Sequence, residues 1–170
     1  EGNGFTLPES YRPPLFVHIR HLDLRDLRLR TAPEEAAVRV TRLTGRAGFG
    51  ADGLYWRNLQ LATPELTARS RGQVAPHRRY TLKTRLDWHW QRPAAPDLRG
   101  RLRAEGDRQA LQLHHQLTAP WSLRARAEIQ DPLDRMQWQL RLAGEDLVLT
   151  DLAPGASEGK VSAHFKAEGN

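Results

Sequence analysis

Residues 79–90 read RYTLKTRLDWHW. Tyr80, Leu82, Leu86, Trp88 and Trp90 fall on one parity, and Thr81, Lys83, Arg85, Asp87 and His89 on the other. A β-strand turns successive side chains to opposite faces, so this stretch predicts a strand with an apolar side and a charged side. The pattern repeats along the chain. Leu15, Val17 and Ile19 alternate with Phe16, His18 and Arg20; Leu22 and Leu24 restart on the other parity, and Leu27 and Leu29 shift again. Ala36, Val38 and Val40 alternate with Arg39 and Thr41. Leu98, Gly100, Leu102 and Ala104 oppose Arg99, Arg101, Arg103 and Glu105. Leu111, Leu113, His115 and Leu117 oppose Gln112, His114 and Gln116, and Trp121, Leu123, Ala125, Ala127 and Ile129 oppose Ser122, Arg124, Arg126 and Glu128. Met136, Trp138, Leu140 and Leu142 form one further apolar parity, and Val161, Ala163, Phe165 and Ala167 another.

Turn signals separate these runs: APEE, GFGADG, TPE, QRPAAPD, EGDRQ, TAP, QDPLD, AGED and APGASEG. Their recurrence suits a meander of antiparallel strands, with GDRQ and AGED short enough to be hairpin loops. No segment reads as an amphipathic helix. The expectation is an all-β chain of roughly eleven or twelve strands. The polar face stays charged in every strand and no central strand is apolar on both sides, so one long antiparallel sheet with a wet face and an apolar face fits best. The parity shifts within residues 19–29 read as bulges or a turn, devices that bend a sheet. Curled around its apolar face, a dozen strands at ~4.8 Å each form an elongated trough on the order of 50 Å long. Trp56 stands on the opposite parity from Leu59 and Leu61, so no face is assigned to it.

The chain has 170 residues, 26 Lys+Arg against 20 Asp+Glu, a formal charge of +6 and 39% hydrophobic residues. The length suits one unit spanning 1–170. The ordering of the apolar residues argues against disorder. There is no cysteine, which removes disulfides and thiolate metal sites. No run approaches the ~20 apolar residues of a membrane-spanning helix. The opening EGNG and closing AEGN read as ends cut from a longer chain.

Three stretches carry a family resemblance: PPLFVHIRHLDLRDLRLR, RLTGRAGFGADGLYWRNLQLATPELTARSRGQV and LRGRLRAEGDRQALQLHHQLTAPWSLRARAEI, with TAPW after the EG hairpin the most specific part. Together they resemble TamB, the translocation and assembly module subunit, and more broadly the AsmA-like bridge proteins of Gram-negative envelopes. The resemblance covers most of residues 12–168. It implies a β-taco, a curled sheet with an apolar concave face, spanning the periplasm from an inner-membrane anchor that lies outside this chain. It further implies phospholipid transport between the two membranes, and a link to a TamA-type outer-membrane barrel through regions outside this fragment. Under that reading the partners are phospholipid acyl chains, or detergent in their place, and no cofactor, metal or catalytic residue is called for. An alternative role is a scaffold holding β-strands of outer-membrane proteins during assembly.

The residue pattern suits such cargo. An acyl chain has no hydrogen-bonding groups and needs only shelter from water, about 0.8 kcal/mol per buried CH2. The expected lining is Leu15, Val17, Ile19, Tyr80, Leu82, Leu86, Trp88, Trp90, Leu102, Leu111, Leu113, Leu117, Trp121, Leu123, Ile129, Trp138, Leu140, Leu142, Val161 and Phe165.

Enzymatic readings find little support. His114 and His115 are adjacent and point to opposite faces of a strand. HExxH and Gly-x-Ser-x-Gly are absent, and no helix follows GFGADG to make a phosphate loop. The sequence pI of about 10.4 raises nucleic-acid binding. Acidic residues are interleaved with the arginines, however, and the aromatics lie mostly on the opposite parity, whereas stacking platforms combine both on one face. No nucleic-acid partner is expected; anionic head groups or an acidic partner suit the basic surface better.

Overall fold

Among the described residues ten strands follow one another, each pairing with the next. The computed structural model describes residues 15–29, 38–76, 79–91, 93, 95–133, 136–148 and 160–169. The strands are β1 (Val17–Leu29), β2 (Val38–Gly50), β3 (Gly53–Ala62), β4 (Leu66–Ala75), β5 (Thr81–Trp90), β6 (Leu98–Gly106), β7 (Ala110–Ala119), β8 (Ser122–Gln130), β9 (Gln137–Val148) and β10 (Lys160–Gly169). All belong to one antiparallel sheet whose spatial order is the chain order, with β1 and β10 at its edges. The sheet is elongated, curled and not closed.

The expected all-β class is therefore what is found, with ten strands among the described residues rather than eleven or twelve. Leu22–Leu24 and Leu27–Leu29 read as separate runs but lie in one strand, β1. A register shift between Ile19 and Leu22 inserts the extra residue, so Ile19 and Leu22 keep the same face while changing parity. A second correction concerns residues 143–146, the expected AGED hairpin loop. They lie inside β9, where a register shift opposite Val161 and Ala163 absorbs the irregularity. The expected turns at 32–35 and 153–159, and Ala36, lie outside the described residues.

Local chemistry sets the turns. Gly50 pairs with Gly53 around the two-residue loop Ala51–Asp52, and Gly53 takes φ +103°, a conformation that glycine adopts without a Cβ clash. In the GDRQ loop the Asp107 carboxylate accepts the backbone N–H groups of Gln109 (2.8 Å) and Ala110 (3.1 Å). These bonds hold its pKa below the usual carboxylate value. Thr63 Oγ1 accepts from Leu66 N–H (2.9 Å) to close the β3–β4 turn.

The sheet has no sealed interior. Val40, Ala104 and Leu117 are the buried apolar residues among those described, and no large side chain is completely buried. A two-layer sandwich of this length would bury the inner face of every strand. Here one layer stands on its backbone ladder and on cross-strand side-chain contacts.

Candidate functional site

The strand register sorts the apolar side chains into straight rows. One row crosses all ten strands: Val17, Phe49, Leu54, Val74, Leu82, Gly106, Leu111, Ile129, Trp138 and Gly169. A second runs Ile19, Ala47, Trp56, Gly72, Thr84, Ala104, Leu113, Ala127, Leu140 and Ala167. A third runs Leu24, Leu43, Leu61, Ala68, Trp88, Gly100, Leu117, Leu123, Gly144 and Ala163. Between the second and third, Leu59, Ser70, Leu86, Leu102, His115, Ala125, Leu142 and Phe165 cross β3 to β10. Nine strand spacings of ~4.8 Å make each full row about 43 Å long.

These rows hold fifteen of the expected lining residues: Val17, Ile19, Leu82, Leu86, Trp88, Leu102, Leu111, Leu113, Leu117, Leu123, Ile129, Trp138, Leu140, Leu142 and Phe165. The other five sit at the margins. Leu15 precedes β1 and is 69% exposed. Tyr80 lies in the turn before β5, and Trp121 in the turn between β7 and β8. Trp90 ends β5 and pairs with Leu66 and Leu98. Val161 pairs through its backbone with Leu147.

The expected lining omits β2, β3 and β4, which contribute Leu43, Phe49, Leu54, Trp56, Leu61 and Val74. Trp56 explains the omission. A register shift lies between Trp56 and Leu59, with Asn58 at φ +50°. Arg57 and Asn58 together oppose one position of β4, so Trp56, Leu59 and Leu61 share a face despite their mixed parity. The signal available in the sequence was Asn58, a residue tolerant of the left-handed region.

Three indoles lie against glycines of the next strand. Trp56 pairs with Gly72, Trp88 with Gly100 and Trp138 with Gly169. Each indole fills the space where the glycine's side chain would stand: a Cβ on Gly100 would meet the Trp88 ring at 2.6 Å, and one on Gly169 the Trp138 ring at 2.8 Å. The rings therefore spread across the sheet.

Several polar atoms on this face are engaged laterally, and what surrounds them is mostly ring and methyl carbon. Trp56 Nε1 donates to Ser70 Oγ (2.8 Å), Trp88 Nε1 to His115 Nε2 (3.2 Å), and Thr84 Oγ1 to the Arg71 carbonyl (3.2 Å). The face is also uncovered: Leu54 is 42% and Phe165 57% exposed. Such a surface recognises ligands without hydrogen-bonding groups.

The opposite face is charged and wet. The Asp23 carboxylate lies between Arg25 (3.0 Å) and Arg42 (3.2 Å), whose hydrogen bonds pull its pKa down to about 2. Lys83 pairs with Glu105 at 2.7 Å and lowers that carboxyl's pKa, and Arg101 pairs with Asp87 at 2.6 Å. Exposed pairs of this kind contribute little to stability each; their consequence is a hydrated back to the sheet. No protein-family model, curated protein or solved structure matches the chain.

Proposed function

We propose that the apolar face is a groove for phospholipid acyl chains and that the chain is a section of a TamB-like or AsmA-like periplasmic bridge carrying lipid between the inner and outer membranes. The observation that carries this reading is the continuity of three apolar rows across all ten strands. A sixteen-carbon tail sheltered from water gains roughly 10 kcal/mol, ample to hold a lipid. Passage needs a series of similar sites, so that none traps the cargo. Rows of Leu, Ala, Gly and Trp with no charged member provide such a series. The head groups stay in water beyond the apolar strip. A second reading, a holder of outer-membrane β-strands, draws on the two sheet edges, β1 and β10.

A photo-reactive amino acid at Phe165, in the protein inside cells, separates the two. Cross-links to phospholipid support the conduit. Cross-links to protein alone, with none to lipid, overturn it in favour of the strand holder.

A further inference from the structure

On the charged face the register builds a single file of basic residues, six Arg and Lys cations with His114 among them. Arg71 faces Arg85, Arg85 faces Arg103, Arg103 faces His114, His114 faces Arg126, Arg126 faces Arg141, and Arg141 faces Lys166. The row crosses seven strands, β4 to β10, and six spacings of ~4.8 Å make it about 29 Å long. Arg85, Arg103, Arg126 and Lys166 each have an acidic residue two positions away along their own strand, so the primary sequence shows mixed charge. Only the pairing reveals the file.

Like charges directly opposite one another on a sheet are destabilising. This file is not internally neutralised. Arg103 reaches Glu105 at 3.9 Å and Lys166 reaches Glu168 at 3.7 Å, both at the outer limit of an ion pair. Glu105 is held more closely by Lys83. Arg71, Arg85, Arg126 and Arg141 have no ion pair among the described residues. Two clefts open on the file. One, of about 370 Å³, brings Arg57, Arg71, Lys83, Arg85 and Arg103 together with Glu105. The other, of about 460 Å³, gathers Arg124, Arg126, Arg141, His164 and Lys166 beside Leu142, Ala143 and Phe165.

We infer that this file is a binding track for an acidic polysaccharide. The track is narrow because Glu105, Glu128 and Glu168 stand in the adjoining row. A flat anionic bilayer would meet those carboxylates together with the cations; a linear chain laid along the file meets the six cations and His114 and no carboxylate. Single-stranded nucleic acid would want aromatic faces beside the charge, yet Trp56, Trp88 and Trp138 lie on the opposite face. An extended acidic peptide places side chains of one face ~6.8 Å apart, out of step with cations spaced at ~4.8 Å. A polyuronate carries one carboxylate on each sugar ring and turns alternate ones to the same side, so its same-side repeat lies close to two strand spacings, in step with every second member of the file. The inference is independent of what occupies the apolar face.

The probe is a size-fractionated oligogalacturonate, titrated into the 170-residue chain at two salt concentrations. Arg126→Gln/Arg141→Gln removes two charges from the file. Arg69→Gln/Arg99→Gln removes two from the same face outside it. The first pair should weaken binding by at least about tenfold and flatten the salt dependence by about two counter-ions. The second pair should change affinity by no more than about twofold, and both should keep the β-sheet circular dichroism spectrum. Because it relieves like-charge contacts, the first pair should also keep or raise the urea midpoint. Equal weakening by both pairs, no binding of oligogalacturonate by the unaltered chain, or tighter binding of a single-stranded oligonucleotide or of phosphatidylglycerol vesicles would each overturn the proposal.

Discussion

Trp88 in β5 and His115 in β7 meet across the strand that separates them. Their rings stack at 5.7 Å with 5° between planes, and the indole N–H donates to His115 Nε2 at 3.2 Å. The contact is possible because β6 presents Gly100 beneath the indole. One residue without a side chain thus lets a large ring lie down, satisfies its only polar atom, and keeps the apolar face open above it.

Gly100→Val tests that arrangement. The valine methyls would occupy the indole's place and turn Trp88 away from His115. Overpacking of this kind costs about 1–3 kcal/mol, which urea unfolding would read as a lower midpoint. Tryptophan emission should shift to the red as the ring loses its cover. An unchanged midpoint and emission maximum would show that Trp88 does not depend on Gly100.

The β3 bulge makes a sharper prediction. Asn58 stands at φ +50°, so Asn58→Gly should be tolerated, with no loss of urea midpoint. Deleting Asn58 tests what the extra residue does. Without it Trp56, Arg57 and Leu59 follow in strict alternation, so Trp56, Leu59 and Leu61 stay on one face and can pair with Gly72, Ser70 and Ala68 without a bulge. The deletion should change stability by no more than about 1 kcal/mol, read by the same unfolding curve. A loss well beyond that would mean the bulge itself is needed to hold β3 in the sheet.

Asp23 gives a pH test. Hydrogen bonds from Arg25 and Arg42 hold its pKa at about 2, below the model-peptide value of 3.8. A carboxylate whose folded pKa is depressed stabilises the fold above its unfolded pKa, and loses that contribution as pH falls through the folded value. Asp23→Asn should therefore be less stable than the parent at neutral pH, with the gap closing between pH 4 and pH 2. High salt should also narrow the gap, because the pair is exposed. A carboxyl titration by NMR with its midpoint near 4 would contradict the geometry.

How much of this was legible beforehand follows from what alternation can encode. Parity within a strand depends on neighbouring residues, so the faces of β5 to β8 could be read directly from Leu82, Leu102, Leu113 and Ile129. Bulges break that rule, and β1 and β3 each contain one, which is why Trp56 had no face and why Ile19 and Leu22 stand on different parities. AGED carried a turn's composition yet stayed extended, because the ladder to β10 overrides local preference. Cross-strand partners were out of reach. Whether Trp88 meets His115, or Arg126 meets Arg141, depends on register, and a slip of one residue changes every pair.

The groove itself is tested by placing charge in the middle of the second row. There Leu113 and Leu140 alternate with Ala104, Ala127 and Ala167, so each leucine stands above small neighbours. Both are partly exposed, and an arginine at either site can carry its charge outward to water while its stem lies on the sheet. Leu113→Arg and Leu140→Arg should therefore keep the β-sheet circular dichroism spectrum, with a loss of stability within about 1–2 kcal/mol. Binding is another matter. A guanidinium in the path of an acyl chain must be desolvated or avoided, and the row offers no carboxylate to pair with it. Affinity for a fluorescent sixteen-carbon fatty acid should fall by more than about tenfold in each variant. The expected control is Gln112→Arg, one residue along β7 and on the charged face, which should leave that affinity unchanged. Equal binding by Leu113→Arg, Leu140→Arg and the parent would mean that acyl chains do not travel over this face.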